Sequence, residues 1–91
     1  MVQIHSITVP VGTSATEIIG FFPKDLSSLL VKCSDALYIG SGNPSFPLDA
    51  GQPFSLSHDD FSEEAIKANN YVKLYAKAAA DTTVHILVLR R

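Results

Sequence analysis

Between Ser28 and Leu56 the chain reads SLLVKCSDALYIGSGNPSFPLDAGQPFSL, short apolar runs each cut off by turn residues within a few positions. Gly and Pro break the repeating hydrogen bonds of a helix, whereas strands tolerate this rhythm. Cys33-Ser34-Asp35-Ala36 is expected to close a tight hairpin, Gly40-Ser41-Gly42-Asn43-Pro44 a second turn, and Asp49-Ala50-Gly51-Gln52-Pro53 a third. The segment therefore points to a compact, mainly β domain.

The rest of the chain fits that reading. Val2–Val9 alternates as a first strand that Pro10 ends, and Thr16–Ile19 is a short β-branched strand after the Gly12-Thr13-Ser14 turn. Gly20-Phe21-Phe22-Pro23-Lys24-Asp25 reads as a loop with two large aromatics. Leu29–Cys33 and Ala36–Ile39 read as hairpin partners, and Phe46–Leu48 and Phe54–Leu56 as short strands on either side of the third turn. Tyr71–Lys77 alternates, with Val72, Leu74 and Ala76 on one face and tyrosines and lysines on the other; Thr83–Leu89 is the most apolar strand. The one helical stretch is Asp59–Ala68, where Asp60 and Glu63 have capping-box spacing and Asn69-Asn70 suits the stop. Phe61 and Ala65 form a narrow apolar stripe that can cover one end of a sandwich.

About seven or eight short strands with regular turns predict a jelly-roll-like antiparallel β-sandwich or barrel with one short helix. At 91 residues it is a single domain over residues 1–91. Charged residues make up 18%, below the ~25% usual in soluble domains, which leaves apolar surface for a partner. The net charge of −2 and the lack of a basic cluster argue against nucleic acid. No apolar run approaches the ~18–20 residues of a membrane span, and no signal peptide is expected. Cys33 stands alone, so no internal disulfide can form, and its place at the end of an apolar run suits a small buried hydrophobe.

The candidates for chemistry are weak. Gly40-Ser41-Gly42 lacks the third glycine and the following helix of a phosphate-binding loop, so a turn explains it. His58, Asp59, Asp60, Glu63 and Glu64 are dense enough to bring a metal to mind, but helix capping accounts for them without one. His5 and His85 would be neighbours if the first and last strands paired, and read as ordinary strand-face histidines. No catalytic residue, metal site or cofactor is expected. Adjacent aromatics on a strand point to opposite faces, so Phe21 and Phe22 leave two readings open: both pack under the loop, or one avoids the core and anchors a partner.

Several stretches together resemble the small β-sandwich structural proteins of tailed-phage virions, many of them decoration (cement) or head-and-tail accessory proteins. The similar segments are Ile7-Thr8-Val9 followed by Thr13-Ser14-Ala15-Thr16-Glu17-Ile18, then Leu30–Cys33 leading to Leu37-Tyr38-Ile39-Gly40-Ser41. Pro47-Leu48-Asp49-Ala50-Gly51 before Phe54-Ser55-Leu56 is similar too, as are Leu74-Tyr75-Ala76 and Thr83–Leu89. The helical stretch departs from the pattern, standing where a shorter loop is expected. The resemblance implies assembly in a host cytoplasm and residence in the virion, with no active site. Its partners would be the major capsid protein or another virion protein, and the chain would form a homo-oligomer, a trimer being favoured. Ile19, Phe21, Phe22 and Phe61 are the candidate interface residues. The alternative is a carbohydrate- or receptor-binding tail module, with Tyr71, Tyr75, Lys73 and Lys77 on one strand face. An enzyme of cupin type would need clustered histidines, and the three here are scattered.

Overall fold

The computed structural model describes residues 2–91. Eight strands follow in order: β1 Gln3–Val11, β2 Thr16–Phe21, β3 Leu26–Lys32, β4 Leu37–Gly40, β5 Phe46–Leu48, β6 Phe54–Ser57, β7 Val72–Ala78 and β8 Thr82–Arg90. A 3₁₀ turn at Pro23–Asp25 precedes β3; a second at His58–Asp60 and the helix α1, Glu63–Ala68, lie between β6 and β7.

The strands form two four-stranded sheets, ordered β1-β8-β3-β6 and β2-β7-β4-β5, with every pair antiparallel. First pairs with last, second with second-to-last, third with sixth, and fourth with fifth. The chain is thus one long two-stranded ribbon whose tip is the turn from Gly40 to Pro44. Rolled up so that β8 also meets β3 and β7 meets β4, the ribbon becomes a jelly roll, or double-stranded β-helix. At the tip, Ile39 faces Phe46, and Gly42 takes a φ of 83° that a side chain would disfavour.

This winding corrects the one expected hairpin. Leu29–Cys33 and Ala36–Ile39 do not pair: β3 belongs to one sheet and β4 to the other, and Cys33–Ala36 carries the chain across. Tight hairpins need positive φ in the turn, and neither Ser34 nor Asp35 has it. The Asp49–Gln52 turn forms, with the Gln52 N–H on the Asp49 carbonyl at 3.0 Å, but it too joins strands of different sheets. The first strand continues through Pro10 to Val11, since an edge strand has a side on which a missing N–H costs nothing. β2 likewise runs on to Phe21, because Gly20 pairs with Lys73 and Phe21 with Val72.

Between the sheets, alternation puts Val84, Ile86 and Val88 of β8 against Leu29 and Val31 of β3, Leu74 and Ala76 of β7, and Leu37 and Ile39 of β4. No polar or charged residue is buried among the described residues. Val84 and Val88 are wholly buried, and each such side chain contributes about 1.5–3 kcal/mol. Cys33 takes its expected buried place, with its thiol 3.4 Å from the Thr83 carbonyl and 3.5 Å from Thr82 Oγ1.

The helical stretch covers one end of the roll, but its start differs from the expected one. Asp60 turns back and accepts from the Ser57 N–H at 2.7 Å, closing a capping box on the 3₁₀ turn. Ser62 is the N-cap of α1, its Oγ accepting from the Ala65 N–H at 3.1 Å. Asn69 ends the helix in the left-handed conformation and accepts from the Lys24 N–H at 3.1 Å, tying the helix to the Pro23–Asp25 turn.

Candidate functional site

The interior of the roll and its outside are chemically opposite, which decides where a site can be. The interior is packed with aliphatic side chains and Phe21, and among the described residues no polar or charged residue is buried there. On the outside, large apolar side chains stand exposed, among them Ile4, Phe22, Tyr38, Phe46 and Tyr71.

The candidate interface residues separate accordingly. Ile19 and Phe21 are core residues, 5% and 1% exposed, and have no surface left for a partner. Phe61 lies between the 3₁₀ turn and α1 rather than on the helix, half-buried with its ring edge-on to Phe21 at 5.9 Å. Phe22 follows Phe21 out of β2 and faces away from the core, 41% exposed. Its ring meets Tyr71 edge-on at 4.9 Å between centroids. Tyr71 in turn lies over Gly20, where a Cβ would run into its hydroxyl.

From this pair, a mixed aromatic and charged surface continues over the outer face of the β2-β7-β4-β5 sheet. Pairing places Glu17 beside Tyr75 and Tyr38 beside Lys77. Lys73 reaches Glu17 at 3.7 Å, with both side chains about half exposed, so the pair adds little stability. The Lys77 ammonium sits 5.8 Å from the centre of the Tyr38 ring, within range of a cation–π contact. Alternation in the sequence puts Tyr71, Lys73, Tyr75 and Lys77 on one face. Tyr38 joins them across the sheet, and its place between inward-facing Leu37 and Ile39 carries the same signal.

The opposite sheet has a different outside. Register puts Ile4 beside Leu89, Ser6 beside Leu87, and Leu30 beside both Leu87 and Ser55. This face is aliphatic and serine-rich, with Lys32 and His85 paired at one end.

The candidates for chemistry do not assemble. β1 and β8 do pair, but His5 stands opposite Val88 and His85 opposite Thr8, which puts the two imidazoles on opposite faces of the sheet. His58 lies at the covered end, its Nδ1 3.3 Å from the Leu26 carbonyl. With Asp59, Phe61, Glu63, Ile66 and Lys67 it lines a broad, open depression of about 490 Å³. Among the described residues no three His, Cys, Asp or Glu side chains come together as metal ligands. Likewise, none of the described helices is long and apolar enough to cross a membrane.

No protein-family model and no curated protein sequence matches the chain. Among solved structures it is similar to a de novo designed double-stranded β-helix determined by solution NMR, with a TM-score of 0.57 and 10% identity, covering 98% of this chain and 99% of that one. It is also similar to a cupin-2 domain containing protein from Shewanella frigidimarina, with a TM-score of 0.48 and 15% identity, covering 94% of this chain and 68% of that one. Neither likeness bears on the resemblance to virion proteins. What the designed protein shares with this chain is the fold, a small antiparallel double-stranded β-helix.

Proposed function

We propose that this chain is a non-enzymatic structural protein of a tailed-phage virion, a decoration protein that binds and stabilises neighbouring coat subunits. The resemblance of the turn motifs to those of such proteins supports the virion setting. The observation that carries the docking role is the contrast between an interior filled by apolar side chains and an exterior that exposes Phe22, Tyr71 and Tyr38. Barrel folds that take small molecules inside keep a polar-lined cavity for them, and this one fills its interior with apolar side chains. A jelly roll with no interior site acts through its surfaces, and exposed aromatics are the side chains that protein interfaces favour.

In this reading Phe22 and Tyr71 form the anchor, since they lie together beside the covered end of the roll, and Phe22 can be altered without opening the core. The test is co-sedimentation with tailed-phage capsids assembled from a coat protein of the same genome, together with the temperature at which those capsids come apart. Wild-type protein is expected to pellet with capsids and raise that temperature. Phe22→Ser should lose at least tenfold in binding, while its circular dichroism stays that of the wild type. Wild-type protein that fails to pellet with the capsids refutes the decoration role; unchanged binding by Phe22→Ser refutes the anchor.

The row formed by Tyr38, Tyr75, Lys73 and Lys77 supports a second reading, a carbohydrate- or receptor-binding module of a phage tail. A glycan array separates the two, because a decoration protein should leave it blank.

A further inference from the structure

Each sheet ends in two free strands, β1 and β6 in one and β2 and β5 in the other. A free strand edge is a template for pairing with another chain unless shortness, a bulge, proline or charge blunts it. β5 is three residues long and contains Pro47, and β6 is four residues long. β2 has a register shift between Glu17 and Ile19, and Glu17 is charged and engaged with Lys73. β1 has almost none of this protection. It runs nine residues in unbroken register against β8, from Gln3 opposite Arg90 to Val11 opposite Thr82, and holds no Lys, Arg, Asp or Glu. Its one blunting residue, Pro10, comes next to last.

Pro10 also identifies the free backbone groups. A proline in an edge strand keeps its nitrogen on the open side, where no hydrogen bond is lost. Hydrogen-bonding direction alternates along an antiparallel strand, so Ile4, Ser6 and Thr8 turn their N–H and C=O groups to that side too. Ile4 is 68% exposed, and Ser6 and Thr8 are exposed with it.

We propose that β1 pairs antiparallel with β1 of a second copy, about a two-fold axis through Ser6, joining two four-stranded sheets into one of eight. A second copy suits this edge because the strand is uncharged and self-complementary. About Ser6, Ile4 comes opposite Thr8 of the other copy, no like charges meet, and pairing runs out where Pro10 reaches Val2. Ile7 and Val9, half-buried at the open edge, are covered by the same contact. The paired length, about seven residues at ~3.3 Å each, makes a strip narrower than the ~800 Å² per partner of a standard interface, so the dimer is weak and depends on concentration. The two-fold takes the place of the trimer that the virion resemblance implies, and the proposal needs no capsid to stand.

The test is sedimentation equilibrium of the whole chain over a wide concentration range at low salt, with circular dichroism confirming folded samples. Wild-type protein is expected to fit a monomer–dimer equilibrium. Ser6→Lys and Ser6→Glu each place like charges opposite one another at the axis and should raise the dissociation constant at least tenfold. An equal mixture of the two variants should restore dimers, as complementary charges then meet. Wild-type protein that stays monomeric, including because its β1 awaits a foreign strand, overturns the proposal. So does self-association that neither substitution weakens, or variants that stay monomeric when mixed.

Discussion

Phe21 and Phe22 are neighbours in sequence and opposites in role. The Phe21 ring is sealed in the core against Phe61, whereas Phe22 stands outside against Tyr71. Truncating Phe21 to Ala should cost about 3–5 kcal/mol, a large share of the ~5–15 kcal/mol that holds a domain folded. Phe22→Ala should cost about 1 kcal/mol or less, the worth of an exposed aromatic pair. Urea melts of the two variants check this, and equal midpoints would be the wrong result. Period-two alternation allows one of the pair to leave the core but keeps burial of both under the loop equally open. Which of the two leaves was not legible, because that is set by the pairing of Phe21 with Val72, residues far apart in the chain. Ile19 became a surface candidate for a related reason. The strand was read as ending there, and only the ladder to β7 carries it onward and holds Ile19 in the core opposite Leu74.

Among the elements, α1 shows best what local sequence can and cannot settle. Helical composition, an acidic start and an asparagine stop were all readable, yet four residues from Ser57 to Ser62 can cap a helix. The choice among them is tertiary. Phe61 is held extended, at φ −96° and ψ 139°, while its ring packs on Phe21, so the helix begins only after it and Ser62 takes the cap. At the other end Asn69 does two jobs, adopting φ 50° and accepting from the Lys24 N–H. Asn69→Gly keeps the backbone conformation and loses the bond, for about 0.5–1.5 kcal/mol. Asn69→Ala adds the left-handed penalty of about 1–2 kcal/mol to that loss. Thermal melts should therefore rank wild type above Gly and Gly above Ala; an Ala variant as stable as the Gly variant would mean that the left-handed cap costs nothing there.

For the whole molecule, turn residues marked most places where a strand stops, and the eight short strands were largely legible from them. Strand partners were not. Ser34-Asp35 and Asp49–Gln52 look like the tips of local hairpins, but the strands they join lie in different sheets, and apart from β4 with β5 every partner lies far along the chain. The ribbon has a further consequence. Because Gln3 is paired with Arg90, the two ends of the fold stand side by side, and topologically the backbone is a ring with one cut in it. The cut can be moved. A link of roughly four residues spans the gap between paired strands, and the turn at residues 41–43, which lies outside every strand and is exposed, is the natural place to open the circle instead. Such a permutant, beginning at Gly42, is expected to keep the wild-type circular dichroism spectrum and a cooperative melt. Loss of either would show that the β4–β5 tip must be covalently closed for the roll to wind.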